Sequence, residues 1–149
     1  MDKNIINQPI LVLLIEDDKD HAELITRGFK KYLSTTKIVH ISDGESALDY
    51  LFKRGKYKNV EISMPNLILL DLRLPRVDGL EVLKIIKTSE NLRKIPVIIL
   101  TTSDAETDIA MAYNKYANSY IVKPIDFSKF VQLIQNLGLY WIESNVYHG

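Results

Sequence analysis

Four short apolar runs recur along the chain, and each ends in a group of polar residues. The central run is Leu67-Ile68-Leu69-Leu70, which prolines flank at positions 65 and 75 and which ends at Asp71. An apolar run this short predicts a strand that is buried on both faces, as in a parallel sheet covered by helices. Ligand sites in such sheets lie just beyond the carboxyl ends of the strands, so we expect chemistry at Asp71.

Three further strands are predicted to end in the same way. They are Ile10 to Ile15, Val97 to Leu100 and Tyr120 to Val122, and they lead into Glu16-Asp17-Asp18, Thr101-Thr102-Ser103 and Lys123-Pro124. A fifth strand, Lys37 to Ile41, has one polar flank and is expected nearer the edge of the sheet. If these strands are parallel neighbours, their ends bring carboxylates, a hydroxyl and an amine into one crevice.

Five helical patterns alternate with the strands. Their apolar residues recur at the spacing of one helix face, as Phe130, Ile134 and Leu137 do in the last helix. This alternation favours an α/β fold: a doubly wound, five-stranded parallel sheet with right-handed crossovers. The segment from Lys53 to Met64 is polar and too long for a tight turn, so we expect it to be an exposed insertion.

Hydroxyl and acidic residues mark the expected helix starts. Ser42 and Glu45 are spaced as a capping box, which predicts that Ser42 caps the second helix. Asp78 precedes the third helix. Asp104 is expected to cap a fourth helix that runs to about residue 116, and Asp126 is expected to cap the fifth.

The composition excludes several classes of protein. The chain has 149 residues, enough for one domain, with 19 basic and 19 acidic residues. Nucleic-acid binders carry a basic excess, so no nucleic-acid partner is expected. No apolar run approaches the ~20 residues of a membrane span and no signal-peptide pattern is present, which predicts a cytoplasmic protein. Since the chain has no cysteine, disulfides, thiolate metal sites and a cysteine nucleophile are excluded.

Glu16, Asp17 and Asp71 are expected to converge at the sheet edge. Three ionised carboxylates at close range repel one another, and a hard divalent cation relieves that repulsion. Mg²⁺ accepts a few protein carboxylates while it keeps several waters, so it is the predicted ion. The alternative for the 16–20 segment alone is a solvated helix N-terminus, where the helix dipole favours acids. Asp71 on a neighbouring strand favours the metal site.

Asp71 is also the candidate acceptor of a phosphoryl group, because a carboxylate at the end of an apolar strand requires partners. Thr101 can offer a hydroxyl and Lys123 a point charge to a phosphoryl group, whose charge spreads over three equatorial oxygens. Taken singly, each residue has an ordinary structural interpretation: Asp71 as a turn residue, Thr101 as a strand residue and Lys123 as a surface charge. The isomer of the Lys123-Pro124 peptide is left open. His21 is expected to be solvated rather than a phosphoryl relay.

Together these residues resemble the receiver domain of two-component response regulators. The matching residues are the Glu16-Asp17 pair, Asp71 with Leu74-Pro75 and Asp78-Gly79, Thr101, and Tyr120 with Lys123-Pro124. The match covers about residues 10–138. The resemblance implies a flavodoxin-like (βα)₅ domain with the strand order 2-1-3-4-5.

The resemblance also implies a signalling protein rather than an enzyme, with at most Mg²⁺-dependent self-phosphorylation and autodephosphorylation. Asp71 would accept phosphate from a histidine kinase, with Lys123 as its charge partner. Thr101 and Tyr120 would form the switch pair that reorients on phosphorylation.

For the metal, the resemblance implies that Mg²⁺ is held by Asp17, Asp71 and the Arg73 carbonyl, with Glu16 acting through water. The family more often has Asp at the position of Glu16.

Three features are similar to the small stand-alone regulators of phytochrome-type kinases, which would then be the partner. They are the insertion, the run from Leu100 to Ser103, and Tyr140-Trp141-Ile142-Glu143. We expect a tail at 1–9, the receiver domain at 10–138 and an aromatic extension at 139–149, with no output domain. The expected output is formation of a homodimer, whose interface would include the fourth helix, the fifth strand, the last helix and the tail.

Two rival functions share part of this pattern. A phosphohydrolase of the haloacid dehalogenase type also uses an Asp nucleophile after an apolar strand, but it carries a second Asp two positions later, where this chain has Arg73. A pseudo-receiver that binds partners without phosphorylation is the other rival. The complete set of Asp71, Thr101 and Lys123 argues against it.

Overall fold

The computed structural model of the chain describes residues 10–32, 36–138 and 140. Strands and helices alternate in the order β1 (Leu11–Ile15), α1 (Lys19–Tyr32), β2 (Lys37–Ile41), α2 (Gly44–Phe52), β3 (Leu67–Leu70), α3 (Gly79–Thr88), β4 (Val97–Thr101), α4 (Glu106–Asn114), β5 (Ser119–Val122) and α5 (Phe127–Gly138). The strands pair in parallel in the order β2-β1-β3-β4-β5. The predicted fold class and strand order are confirmed.

The central strand β3 is buried on both faces, as its sequence predicts. Leu67 and Leu69 pack with residues of α1 and α5, whereas Ile68 and Leu70 pack with residues of α2 and α3. Since side chains alternate along a strand, an unbroken apolar strand supplies both layers of core. Burial of an apolar side chain of this size contributes about 1.5–3 kcal/mol.

The strand register brings the polar strand ends together. Ile15 of β1 pairs with Leu70 of β3, so Glu16 and Asp71 follow side by side. Leu70 pairs with Ile99, and Thr101 pairs with Val122, which places Lys123 one residue beyond the end of β5. The candidate residues from four strands therefore lie together at the carboxyl ends of the strands.

Gly79 allows α3 to begin directly against the backbone that follows β3, at Asp71 and Leu72. A Cβ at Gly79 would lie 2.4 Å from the Asp71 carbonyl oxygen and 2.5 Å from Leu72 Cα. Real side chains do not approach backbone that closely, so the turn between Asp71 and α3 requires glycine at this position.

The predicted capping box at Ser42 is wrong. Asp43 caps α2 instead: its backbone is extended, and its carboxylate accepts hydrogen bonds from the Ser46 backbone N–H at 2.7 Å and the Ser46 hydroxyl at 2.8 Å. The helix begins at Gly44, one residue later than a Ser42 cap requires. A charged acceptor also suits the positive end of a helix better than a hydroxyl does.

The start of α4 also differs from the prediction. Ala105 occupies the cap position without a side-chain hydrogen bond, and the helix spans Glu106–Asn114, which is shorter than expected. The Ser103 hydroxyl donates to Asp108 within the first turn. The Asp126 cap is confirmed, since its carboxylate accepts from the Ser128 and Lys129 backbone N–H groups.

The 53–64 insertion is largely exposed, as predicted, but it is anchored to the core. A 3₁₀ helix at Gly55–Tyr57 brings Tyr57 edge-on to Tyr50 of α2, with ring centroids 5.3 Å apart. Tyr57 and Ile62 are half-buried against the core layer below α2. None of the helices in the described ranges has the length and apolar composition that crossing a bilayer requires.

The Asp43 cap generates a stability prediction. Burial acts to raise the pKa of Asp43, but the Ser46 hydrogen bonds and the Arg76 charge outweigh it and hold that pKa below its ordinary value. A carboxyl with a lowered folded pKa stabilises the fold above its unfolded pKa of about 3.9 and loses that contribution as the pH falls below it. Asp43→Ala should lower the free energy of unfolding by ~1 kcal/mol at neutral pH.

Urea unfolding at a series of pH values measures this effect. Ser42→Ala is the matched control and should leave stability unchanged, whereas Asp43→Asn should retain most of the cap. The advantage of the parent over Asp43→Asn should shrink as the pH falls below about 3.9. Equal losses in Ser42→Ala and Asp43→Ala would contradict the assignment of the cap to Asp43.

Candidate functional site

Three carboxylates meet at the carboxyl edge of the sheet. One oxygen each from Glu16, Asp17 and Asp71 lie within 4.8 Å of one another. Glu16 and Asp71 are buried, with 1% and 7% of their surface exposed, whereas Asp17 is open to solvent. Carboxylate oxygens at this spacing fit the donor set of a hard divalent cation.

The buried amine of Lys123 lies against this cluster. Its Nζ donates to Asp71 Oδ2 at 2.9 Å and also to Glu16 Oε1. Its backbone N–H donates to the Thr101 carbonyl at 2.7 Å, which extends the β4–β5 pairing. Lys123 points inward although no peptide bond in the described residues is cis. A buried ammonium paired with carboxylates offsets the cost of burying all three groups.

The two buried carboxyl groups differ in their affinity for protons. Burial raises the pKa of Glu16 to about 7, against the lowering effect of Lys123. Burial also acts to raise the pKa of Asp71, but the Lys123 charge, its hydrogen bond and that of Thr101 outweigh it, so the pKa lies below its ordinary value. Asp71 is therefore held as an ionised carboxylate.

Thr101 ends β4, and Tyr120 lies in the neighbouring strand β5. Thr101 is fully buried; its hydroxyl acts to lower the pKa of the Asp71 carboxyl group, and its Oγ1 accepts from the Ser103 N–H at 3.5 Å. Tyr120 is half-buried, and its hydroxyl donates to the Ser103 carbonyl at 2.9 Å. The aromatic ring is thus tied to the loop that follows Thr101 at the end of β4.

Arg73 is placed beside the cluster through its backbone. Its N–H donates to Asp71 Oδ1 at 3.2 Å, which turns the chain back over the carboxylate. Its side chain is exposed and lies 3.6 Å from Asp108 of α4.

Two histidines contact the site although sequence reasoning assigned neither of them to it. His21, expected to be solvated, is half-buried, and its Nδ1 lies 3.0 Å from Lys123 Nζ. His40 Nε2 lies 2.6 Å from the Glu16 carbonyl oxygen. The available signal for His21 was its place in the first turn of α1, four residues after Asp17, where its side chain lies one turn beyond the acidic cluster.

An ionised carboxylate flanked by an ammonium, a hydroxyl and a cation site can act as a nucleophile toward a phosphoryl group. The receiver domains of two-component signalling are doubly wound parallel sheets that carry such a site at the carboxyl ends of their central strands. The family model for the response regulator receiver domain matches residues 12–135, and the chain belongs to this family. It is thus a two-component signalling regulator, and neither rival function is favoured.

Similar proteins agree with this assignment. The probable methanogenesis regulatory protein FilR2 of Methanothrix harundinacea is 44% identical over 137 residues, which cover 92% of this chain and 86% of FilR2. The response regulator Rcp1 of Synechocystis sp. is 36% identical, over 93% of this chain and 92% of Rcp1.

Two solved structures share the fold over nearly the whole chain. The Mn²⁺-bound form of Rcp1 has a TM-score of 0.90 at 35% identity and covers 95% of this chain and 100% of its own. The phosphorylated cyanobacterial phytochrome response regulator RcpA has a TM-score of 0.89 at 35% identity, with the same coverage.

Proposed function

We propose that Asp71 accepts a phosphoryl group from a histidine kinase and that Mg²⁺ supports the transfer. The observation that carries this proposal is the surroundings of Asp71. Its carboxylate lies 2.9 Å from the Lys123 amine, has its pKa lowered by the buried Thr101 hydroxyl among other groups, and shares a cluster with Glu16 and Asp17. In the described residues no other carboxylate combines these neighbours.

The reaction follows from these groups. An oxygen of ionised Asp71 forms the new bond to phosphorus, while the bond from phosphorus to the donor histidine nitrogen breaks and its electron pair returns to the imidazole. Charge on the equatorial oxygens is met by the Lys123 ammonium and the Thr101 hydroxyl. Self-phosphorylation from a small phosphodonor would use the same residues.

Asp17, Asp71 and the Arg73 carbonyl would hold the Mg²⁺ ion, with Glu16 acting through water. Their hard oxygen donors suit Mg²⁺, and the relative Rcp1 has been solved with Mn²⁺, a cation of similar ligand preference. When bound, the ion would neutralise charge on the transferring phosphoryl group.

The kinase partner is proposed to be of the phytochrome type, because the relative RcpA is a phytochrome response regulator. Phosphorylation would draw the Thr101 hydroxyl toward the phosphoryl group and alter the loop to which Tyr120 is bonded. A local charge that biases two arrangements of one loop is a population switch.

The acceptor assignment is tested with a small phosphodonor and Mg²⁺. Intact-mass spectrometry should show one added phosphoryl group on the parent and none on Asp71→Asn, because the amide is not a nucleophile toward phosphorus. Asp78→Asn is the matched control: Asp78 caps α3 in the same loop, and asparagine caps equally well. Equal labelling of the parent and Asp71→Asn would overturn the assignment.

The metal assignment is tested by thermal unfolding with and without Mg²⁺. A ligand that binds only the folded state stabilises it by about 2.7 kcal/mol at roughly 100 times its Kd, so Tm should rise. Asp17→Ala should remove most of the rise, whereas Asp20→Ala, an acid in the first turn of α1 outside the cluster, should retain it. A full response in Asp17→Ala would exclude it as a principal ligand.

We also propose that residues 10–138 form the receiver domain and that the surface of α4, β5 and α5 forms a homodimer. Large apolar side chains are exposed on and next to these elements, at Tyr113, Tyr116, Val122, Ile125 and Phe127. Ile125 is fully exposed and Phe127 is 72% exposed. Exposed aromatic and aliphatic groups are typical of interfaces. The extension predicted to contribute lies outside the described residues except for Tyr140, which is exposed.

Sedimentation at tens of micromolar should show a dimer for the parent. Phe127→Glu should shift it toward monomer, since a charge in the interface is unpaired while an acid in the first turn still suits the helix. Val60→Glu, at an exposed apolar position in the insertion, should leave the dimer intact. Sedimentation of a chain that ends at residue 138 measures how much the 139–149 extension contributes to dimerisation. A monomeric parent, with and without phosphate, would exclude the dimer.

A further inference from the structure

The Lys123 ammonium group has three hydrogens, and the structure provides three acceptors for them. Two are the carboxylate oxygens of Glu16 and Asp71, and the third is His21 Nδ1 at 3.0 Å. Lys123 is 3% exposed, so its hydrogens depend on protein partners. His21 is the acceptor of the three that lies outside the acidic cluster.

This contact determines the chemical form of His21. Lysine has donors and no acceptor, so His21 can pair with it only through an unprotonated Nδ1. A neutral imidazole then carries its hydrogen on Nε2. Nε2 lies 3.8 Å from Asp18 Oδ2, and a carboxylate on that side favours a hydrogen there.

The imidazole is held in place from two further directions. Asp18 Oδ1 accepts hydrogen bonds from the Asp20 and His21 backbone N–H groups at 2.9 and 3.1 Å, so Asp18 is fixed by the first turn of α1. The His21 ring lies against the buried ring of Phe130 in α5, with centroids 5.3 Å apart. The cap of α1 and the α1–α5 packing thus set where Nδ1 points.

We propose that Asp18 and His21 are positioning residues, which hold the Lys123 amine in place for phosphoryl transfer. This inference rests on the proposed function and extends it. Glu16 and Asp71 would both change partners if a cation and a phosphoryl group entered the cluster. A neutral His21 belongs to neither group of ligands, so its hydrogen bond to Lys123 would persist. Asp18 and His21 contribute by orienting the charge of Lys123. This is the usual role of residues that contact the side chains of a reactive site without touching the reacting atoms.

The geometry is tested without any phosphodonor. In a two-bond ¹H–¹⁵N spectrum at about pH 8, above the ordinary histidine pKa, His21 should show a protonated Nε2 and a free Nδ1. The signal is assigned by its loss in His21→Phe. Asp18→Asn keeps the helix cap and should increase the population with Nδ1 protonated. A protonated Nδ1 in the parent overturns the proposal, and an unchanged tautomer in Asp18→Asn overturns the role of Asp18.

The kinetic role is tested with two substitutions that separate the acceptor from the ring. His21→Phe keeps an aromatic ring against Phe130 and removes the acceptor, whereas His21→Asn removes the ring and places an amide oxygen close to the position of Nδ1. With a small phosphodonor and Mg²⁺, His21→Phe should lower the maximal phosphorylation rate about tenfold. The donor concentration at half-maximal rate should stay unchanged, and His21→Asn should recover most of the rate.

Thermal unfolding shows that each variant is folded under the assay conditions. Equal rates for the parent and His21→Phe overturn the kinetic role, and so does an equal loss in both His21 variants, which would assign the effect to packing alone. A parent that accepts no phosphate at all contradicts the proposed function instead. In that case the tautomer spectrum still decides whether His21 accepts a hydrogen bond from Lys123.

Discussion

The site depends on the charge balance around the buried Lys123 amine. Two carboxylates at the ends of adjacent buried strands would be costly without a cation between them, and Lys123 contacts both Glu16 and Asp71. The balance is uneven: burial raises the pKa of Glu16 to about 7, while Lys123 and Thr101 keep the pKa of Asp71 low. Two carboxyl groups in one pocket thereby acquire different chemistry, and Asp71 remains ionised, as its proposed role as the nucleophile requires.

The fold supplies this arrangement through strand register rather than through any single loop. Parallel neighbours end at one edge, so Ile15 beside Leu70 places Glu16 beside Asp71. Close backbone approach completes the pocket, since Gly79 lets α3 begin against the Asp71 carbonyl. The proposed nucleophile Asp71 thus lies between a rigid sheet and a tight turn, and the β4–α4 loop is joined to β5 by the hydrogen bond from Tyr120 to the Ser103 carbonyl.

The α1–α5 side of the sheet is connected to the chemistry through His21. Its imidazole links the capped first turn of α1, the core aromatic Phe130 and the buried amine of Lys123. Packing between two helices and the orientation of a charged group in the pocket are therefore parts of one structure. Exposed apolar residues follow Lys123 closely in the chain, at Ile125 and Phe127, so the proposed interface would lie near the proposed phosphoryl site.

The sequence by itself determined the strand and helix order, the burial of β3 and the identity of the acidic, hydroxyl and amine groups, because periodicity and strand-end residues are local properties. The sequence-based prediction of the α2 cap was wrong by one residue. Serine and aspartate both cap helices well, so the choice between Ser42 and Asp43 depends on where α2 begins. His21 was missed for another reason: its partner lies 102 positions away in the chain. Only tertiary packing decides which nitrogen faces Lys123 and which acid stays charged, because hydrogen bonding and desolvation depend on neighbours that the chain brings together from distant segments.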